Sequence, residues 1–154
     1  MTGKTHASFG LLIGAYISKD YGVSIETVGV ISASLLGSLI PDVCHTKSTI
    51  GRKLPLISWL VNLLFGHRTF THSLLFMLLM YLVLTLFGLP DVYIIPFVLG
   101  IASHIFLDFL TDSGVSLFYP YKNRFSSPIN VKTGGITDYS LLVVFLCCVY
   151  LVYR

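Results

Sequence analysis

Six apolar stretches separated by short polar breaks set the organisation of this chain. They cover residues 7–18, 24–41, 55–65, 70–89, 92–113 and 137–153. A helix that crosses the hydrocarbon core of a bilayer needs about 20 residues, with a range near 17–25. The fourth and fifth stretches are long enough and the sixth is adequate, and the second qualifies if Glu26 and Thr27 lie at its rim. The first is short, so it spans obliquely or not at all.

The third stretch, residues 55–65, is too short to span and carries Trp59 and Asn62. We therefore expect an interfacial or re-entrant helix there. Pro41, Gly66 and Gly114 mark clear breaks between stretches. The pattern predicts an all-α, polytopic transmembrane helical bundle with about four to five spans plus this short helix. Residues 1–154 are expected to form a single integral membrane domain.

Composition supports a membrane protein and argues against a nucleic-acid partner. The chain is 55% hydrophobic and 11% charged, with a mean hydropathy of +0.83. An average soluble domain has roughly 25% charged residues, so this chain departs far from that class. The net charge is +3, but no basic stripe with interleaved aromatic residues is present to follow a phosphate backbone. Protein partners are not identifiable from these features.

The basic residues predict an orientation. They concentrate in the loop at residues 42–53, just before the fourth stretch, and in the loop after the fifth. The residues concerned are Lys47, Arg52, Lys53, Arg68, Lys122, Arg124 and Lys132. Loops rich in Lys and Arg stay in the cytoplasm, so the N-terminus is expected inside and the C-terminus outside.

Ionisable residues, which cost free energy when they lie inside a bilayer, occur at the ends of the apolar stretches. They are His6, Asp42, His45, His67, His72, His104, Asp108 and Asp112. Ionisable groups kept within membrane segments usually mark a functional site. Because the spans alternate in direction, most of these groups are delivered to one leaflet, and the basic loops predict that it is the cytoplasmic one.

The tightest cluster is the series His104, Asp108 and Asp112, which places an imidazole and two carboxylates on one helix face. One metal ion can take His104 and Asp108 from adjacent turns. A carboxylate such as Asp108 can also bridge two metals roughly 3.5–4 Å apart. The alternative is a His and an Asp bonded to each other across a helical turn. We expect a functional cluster, with Asp112 in a catalytic role.

Residues 67–73 (HRTFTHS) are more polar than a helix start requires. His72 is the favoured metal ligand, and His67 is expected to be a second ligand or a general base. Arg68 suits a phosphate oxygen, since its planar guanidinium binds such groups bidentately. The alternatives are that Thr69 or Thr71 caps a helix and that Arg68 anchors the topology.

Asp42, His6 and the residues around them have two interpretations each. Asp42 follows Pro41 and is either a metal ligand or an Asp in a helix-terminal turn. His6 is a ligand or a residue near an N-cap. His45 and Cys44 are ligands or ordinary residues of a turn.

Mixed His and Asp ligands suit Zn²⁺, with Mn²⁺ or Fe²⁺ as alternatives. A bound Zn²⁺ activates water near neutral pH, which is the chemistry of hydrolysis.

A transport protein is an alternative function. It would need ionisable groups at several depths of the membrane, but residues 74–87 and 92–102 contain no Asp, Glu or His.

The motifs together resemble the YdjM-like family. They are His6, residues 41–45 (PDVCH), residues 67–73 (HRTFTHS), residues 103–115 (SHIFLDFLTDSGV) and residues 118–120 (FYP). The resemblance covers roughly residues 1–130. It implies a protein of the bacterial inner membrane with metal-dependent hydrolase activity.

That family is in turn distantly similar to the zinc-dependent phospholipase C group, helical enzymes that bind zinc through His and Asp residues. Carried over, this similarity implies as metal ligands His6, Asp42, His72 (or His67), His104 and Asp108. The chain lacks a second downstream HxxxD or HxxxE motif, so one or two metal ions are expected rather than three. Cys44 stands where the family often has a second Asp.

These observations favour a membrane-embedded, metal-dependent hydrolase of a phosphoester in a lipid or another amphiphilic substrate. The catalytic residues are expected to be His67, Arg68 and Asp112 beside the metal ligands. A membrane lipid is the expected substrate, because it reaches a site at bilayer depth by lateral diffusion. The alternative is a non-catalytic membrane scaffold or interaction protein that keeps a structural metal site.

Overall fold

A computed structural model of the chain describes residues 1–66 and 68–154. Six α-helices occur in these residues: α1 (Gly3–Ser18), α2 (Ile25–Leu39), α3 (Pro55–Phe65), α4 (Leu74–Leu86), α5 (Asp91–Phe109) and α6 (Ile136–Val152). Two 3₁₀ turns, Ile40–Cys44 and Phe70–His72, lie directly after α2 and just before α4. The described residues contain no β-strand, only two isolated bridges in the loop between α5 and α6. The predicted all-α class is confirmed.

Local sequence explains where the helices start. Thr2, Ser24 and Ser73 precede α1, α2 and α4, and each side-chain hydroxyl accepts a hydrogen bond from a backbone N–H of the first turn. Such caps satisfy a donor that the helix itself leaves without a partner. Pro55 opens α3 at a position where its missing N–H costs nothing.

Helices α1 and α5 form the centre of the bundle, and glycines bring their neighbours close. Helix α5 packs against α1, α2 and α4, while α1 packs against α2, α5 and α6. A Cβ atom on Gly37 of α2 would lie 2.0 Å from the Phe97 carbonyl oxygen of α5. One on Gly100 would lie 2.2 Å from the Ser34 carbonyl oxygen. The two backbones are thus in direct contact, as in membrane helix pairs that meet at small residues.

The distribution of polarity is inverted relative to a soluble domain. Helices α3, α4 and α6 expose large apolar side chains, among them Leu56 at 81%, Leu86 at 85% and Leu151 at 61%. In contrast, the buried set includes polar side chains from α1, α2 and α5, namely Thr5, His6, Ser34, Ser38, Ser103, His104 and Asp108. Soluble monomers rarely expose large apolar patches, so this surface needs an apolar environment or a partner.

By helix length, fewer helices qualify as membrane spans than the sequence predicts. Of the described helices, α5 is long and apolar enough to cross a membrane by length and composition. Four shorter apolar helices, of 10–17 residues, are Ile25–Gly37, Pro55–Phe65, Leu74–Leu86 and Ile136–Val152. The predicted four to five spans are therefore not established by helix length.

Helix α5 ends four residues earlier than the apolar pattern predicts, at Phe109 rather than near residue 113. Thr111 turns its backbone N–H and its hydroxyl back to the Asp108 carbonyl, and it pairs with Val131. Gly114 then adopts a φ of +60° that a helix does not allow. The prediction that Asp112 shares a helix face with His104 and Asp108 is therefore wrong, since Asp112 lies in an exposed turn.

The glycine contacts predict a difference between two substitutions in α2. Gly37→Ala should destabilise the protein by about 1–3 kcal/mol, because its new methyl group meets the immovable backbone of α5. Gly29→Ala is the matched control on the same helix. Its methyl group meets the Tyr93 ring, which can rotate away. Denaturation by SDS in detergent micelles measures both, and equal midpoints for the two variants would contradict the packing described.

Candidate metal centre

Five of the predicted residues meet in the interior. They are His6, Asp42, His72, His104 and Asp108. His6 comes from α1, Asp42 and His72 from the two 3₁₀ turns, and His104 and Asp108 from α5. Four of the five side chains are at most 1% exposed, whereas Asp42 is 20% exposed. The cluster thus has one edge open toward solvent.

The first donor set consists of Asp42, His72 and His104, with Asp108 beside them. The Nε2 atoms of His72 and His104 are 3.1 Å apart, and each lies 3.8 Å from Asp42 Oδ1. Asp108 Oδ2 lies 3.4 Å from His72 Nε2 and 3.7 Å from His104 Nε2. These side-chain donors therefore face one small common volume.

These separations fit a tetrahedral metal ion. A Zn²⁺ ion with nitrogen and oxygen ligands at about 2.0–2.1 Å holds neighbouring ligand atoms roughly 3.3–3.4 Å apart. The observed values of 3.1–3.8 Å bracket that distance. The donor chemistry of imidazole and carboxylate suits the same ion, with Mn²⁺ and Fe²⁺ as alternatives. The residues present therefore fit a divalent metal.

A second donor set, His6, His104 and Asp108, shares two residues with the first. The His6 and His104 rings stack with centroids 3.7 Å apart and planes at 11°. His6 Nε2 lies 3.2 Å from Asp108 Oδ1, yet neither ring nitrogen of His6 has a hydrogen bond among the described residues. Buried polar atoms are normally paired, so these nitrogens are suited to a ligand. Asp108 turns Oδ2 to the first set, whereas its Oδ1 accepts a hydrogen bond from the Met1 amino group and lies beside His6 of the second set.

Outer contacts fix the orientation of the histidines. His104 Nδ1 lies 2.7 Å from the Ser38 carbonyl oxygen, which can only accept, so Nδ1 carries the proton and Nε2 keeps its lone pair. His72 Nδ1 lies 3.0 Å from the Thr71 hydroxyl. Metal-binding histidines commonly have such a partner on the far nitrogen. Because Ser38 belongs to α2, the close packing of α2 and α5 also orients His104.

Arg68 contacts the cluster through Asp108. Its Nε atom lies 3.2 Å from Asp108 Oδ2, and its Nη1 atom donates to the Thr111 hydroxyl at 3.1 Å. The backbone of Arg68 has a φ of +59°, which non-glycine residues rarely adopt, and its carbonyl accepts from the Ser116 N–H. The structure thus holds Arg68 against the carboxylate. The predicted contact with a phosphate oxygen stays a prediction.

The surroundings of His72, in the turn before α4, raise the pKa of its imidazole. Burial lowers the pKa of His72, but hydrogen bonds and charges from Asp108 and Cys44 more than compensate and raise this pKa to about 9. Cys44 is itself fully buried, whereas His45 is half-buried and its Nδ1 accepts from the Lys47 N–H. Cys44 therefore lies next to a predicted ligand, and His45 Nδ1 forms a hydrogen bond within its own turn.

Asp138 is a buried residue that sequence reasoning did not select. Its Oδ2 atom accepts from the backbone N–H groups of Thr2 and Gly134 at 2.9 and 2.8 Å. Its Oδ1 atom accepts from the Thr5 hydroxyl. These bonds tie the start of α6 to the first turn of α1, which carries His6. The available signal was an acidic residue at the very start of an apolar stretch.

One predicted catalytic residue is not part of this arrangement, and another cannot be placed in it. The exposed Asp112 lies outside both donor sets. His67 lies outside the described residues, and its role as general base or second ligand stays a prediction.

Comparison with known proteins gives a consistent relationship. The family described as YdjM inner membrane protein matches residues 1–154. YvsG of Bacillus subtilis is 42% identical over 143 residues, covering 92% of this chain and 88% of that protein. The inner membrane proteins YdjM of Escherichia coli and of Shigella flexneri are each 35% identical over 147 residues, covering 88% of this chain and 74% of theirs. No solved structure matches the chain at a significant level.

Metal content provides a direct test of the donor sets. Purified in detergent, the wild type should carry about one to two equivalents of a divalent metal, most readily zinc. His104→Ala removes a residue common to both sets and Asp42→Ala removes the most exposed ligand, so both should lose most of the metal. Elemental mass spectrometry measures this, with Asp91→Ala at the far end of α5 as the matched control. Metal retained by both site variants, or lost equally by the control, would refute the site.

Proposed function

The chain belongs to the YdjM family of inner membrane proteins, and from that premise we propose that its buried His and Asp cluster is the centre of a membrane-embedded, metal-dependent hydrolase. The proposed substrate is a phosphoester in a lipid or another amphiphile. The observation that carries this proposal is the convergence of Asp42, His72, His104 and Asp108 on one volume, with donor separations suited to a metal.

The residues of the cluster have distinct proposed tasks. His72, His104, Asp42 and Asp108 would hold the first metal, and His6 with Asp108 would offer a place for a second. When bound, a divalent cation supplies Lewis-acid chemistry, which activates water and polarises a phosphoryl oxygen. Arg68 keeps Asp108 in position through the contact of its Nε atom with Oδ2. The half-open edge at Asp42 is the side from which a substrate enters.

The proposal also places the protein across the membrane several times, with the site toward the cytoplasmic leaflet. Its support is the inverted polarity of the bundle, in which α3, α4 and α6 turn apolar side chains outward. Close helix contacts at Gly37 and Gly100 are of the kind that membrane helices use. The basic loop at residues 42–53 supports the cytoplasmic side. Helix α3 then lies along the interface rather than across it.

One observation favours a second candidate, a non-catalytic scaffold with a structural metal. Four protein side chains surround the first volume, and structural zinc sites are closed by four protein ligands. A catalytic site keeps an open position for water. The partial exposure of Asp42 favours the catalytic alternative, and an activity measurement separates the two.

Hydrolysis of a phospholipid should depend on the cluster. With phosphatidate in mixed micelles, His104→Ala and Asp108→Ala should lower the rate of phosphate release by at least roughly a hundredfold. Arg68→Lys keeps the charge but loses the guanidinium fork, so about a tenfold loss is expected. Asp91→Ala should retain the wild-type rate. Stoichiometric metal in a wild type that hydrolyses no phosphoester would support the scaffold instead.

The multi-pass arrangement predicts that two loops lie on opposite sides of the membrane. In a variant whose three cysteines are replaced by serine, Lys53→Cys and Asp91→Cys provide single labels. A membrane-impermeant maleimide should label Asp91→Cys in spheroplasts but Lys53→Cys only after lysis. Labelling of both sites before lysis would contradict the proposed topology.

A further inference from the structure

A basic cavity opens beside the candidate metal centre. It has a volume of about 540 Å³, and Asp42 of the first donor set forms part of its wall. Its cationic lining side chains are Lys4, Lys47, Arg52 and Lys53. Among the described lining residues, Asp42 is the one carboxylate. The basic cavity therefore combines an excess of positive charge with direct access to a metal ligand.

The local fold keeps these cations together. Arg52 Nε donates to the Lys47 carbonyl at 2.8 Å, and the Ser48 hydroxyl donates to the Asp42 carbonyl at 2.7 Å. The loop is compact, because a Cβ atom on Gly51 would lie 2.0 Å from the His45 carbonyl oxygen. The same loop approaches the start of α1, since a Cβ atom on Gly3 would lie 3.1 Å from the Thr49 hydroxyl, and α1 adds Lys4 to the lining. Two separate segments thus contribute charge to one cavity.

The apolar surface next to the basic cavity indicates the level in the membrane at which the cavity lies. Helix α3 begins at Pro55, two residues after Lys53, and exposes Leu56, Trp59 and Leu60. A Trp beside aliphatic side chains, adjoining a run of Lys and Arg, is typical of the level where phospholipid headgroups lie. Anionic headgroups attract basic side chains at this level. Binding of free phosphate would not require the exposed apolar surface of α3 beside the basic cavity.

We propose that the basic cavity binds the anionic, phosphate-bearing headgroup of a phospholipid and presents it to the metal centre at Asp42. A zwitterionic headgroup would bring its own ammonium group against four cationic side chains, so anionic lipids are selected. This inference names the substrate class of the same site and in that respect rests on the proposed function. It requires no turnover, which makes it separately testable.

The test measures binding of the non-hydrolysable phosphonate analogue of dihexanoyl phosphatidate to the full chain in detergent by calorimetry. The cavity variant combines Lys47→Gln, Arg52→Gln and Lys53→Gln. The control variant combines Lys122→Gln, Arg124→Gln and Lys132→Gln, which removes the same charge from the exposed loop after α5. Affinity should fall at least about tenfold in the cavity variant and less than about twofold in the control. Both variants should retain the metal content of the wild type.

Three results would overturn the inference. Equal losses in the two variants would mean a general effect of net charge. Dihexanoyl phosphatidylcholine bound as tightly as the phosphatidate analogue would remove the selection for anionic headgroups. Inorganic phosphate bound as tightly as the analogue would assign the basic cavity to free phosphate rather than to a lipid. A wild type that binds the analogue in this manner but hydrolyses no phosphoester would refute the proposed function alone.

Discussion

The structure depends on the compensation of one buried charge, the Asp108 carboxylate that α5 carries into an apolar bundle. An unpaired buried charge costs several kcal/mol even after the protein relaxes around it. The groups that compensate Asp108 come from distant parts of the chain. The Met1 amino group directly precedes α1, His6 is on α1, Arg68 lies in the loop before α4, and His72 is in the turn that follows. Satisfying this carboxylate therefore fixes α1, α4 and α5 relative to one another.

Packing and chemistry are coupled at the contact between α2 and α5. Gly37 and Gly100 allow the backbones to touch, and the same approach brings the Ser38 carbonyl to His104 Nδ1. A helix pair held a few ångströms further apart would lose that hydrogen bond, and His104 would be free to turn its ring. The small residues of the interface thus act on the donor geometry although they belong to neither donor set. The exposed apolar faces of the surrounding helices enclose an interior in which polar side chains are buried beside an apolar core.

Sequence alone predicted the helices well, because apolar runs bounded by Pro, Gly and capping residues leave few alternatives. It also selected His104 and Asp108, since ionisable groups in an apolar run are energetically costly and usually mark a functional site. It failed at Asp112, where a local turn ends α5 within an apolar pattern. The partner of Arg68 and the role of Asp138 depend on contacts between segments far apart in the chain. Spacing carries no information on such contacts.

The central claim is that imidazole and carboxylate groups from separate segments bind one metal in the interior of the bundle. X-ray absorption spectroscopy on the detergent-purified, metal-loaded wild type tests it most directly. The account predicts nitrogen and oxygen neighbours at about 2.0–2.1 Å together with the outer-shell scattering of at least two imidazole rings. A metal surrounded only by water oxygens, or a protein that takes up no metal at all, would contradict it.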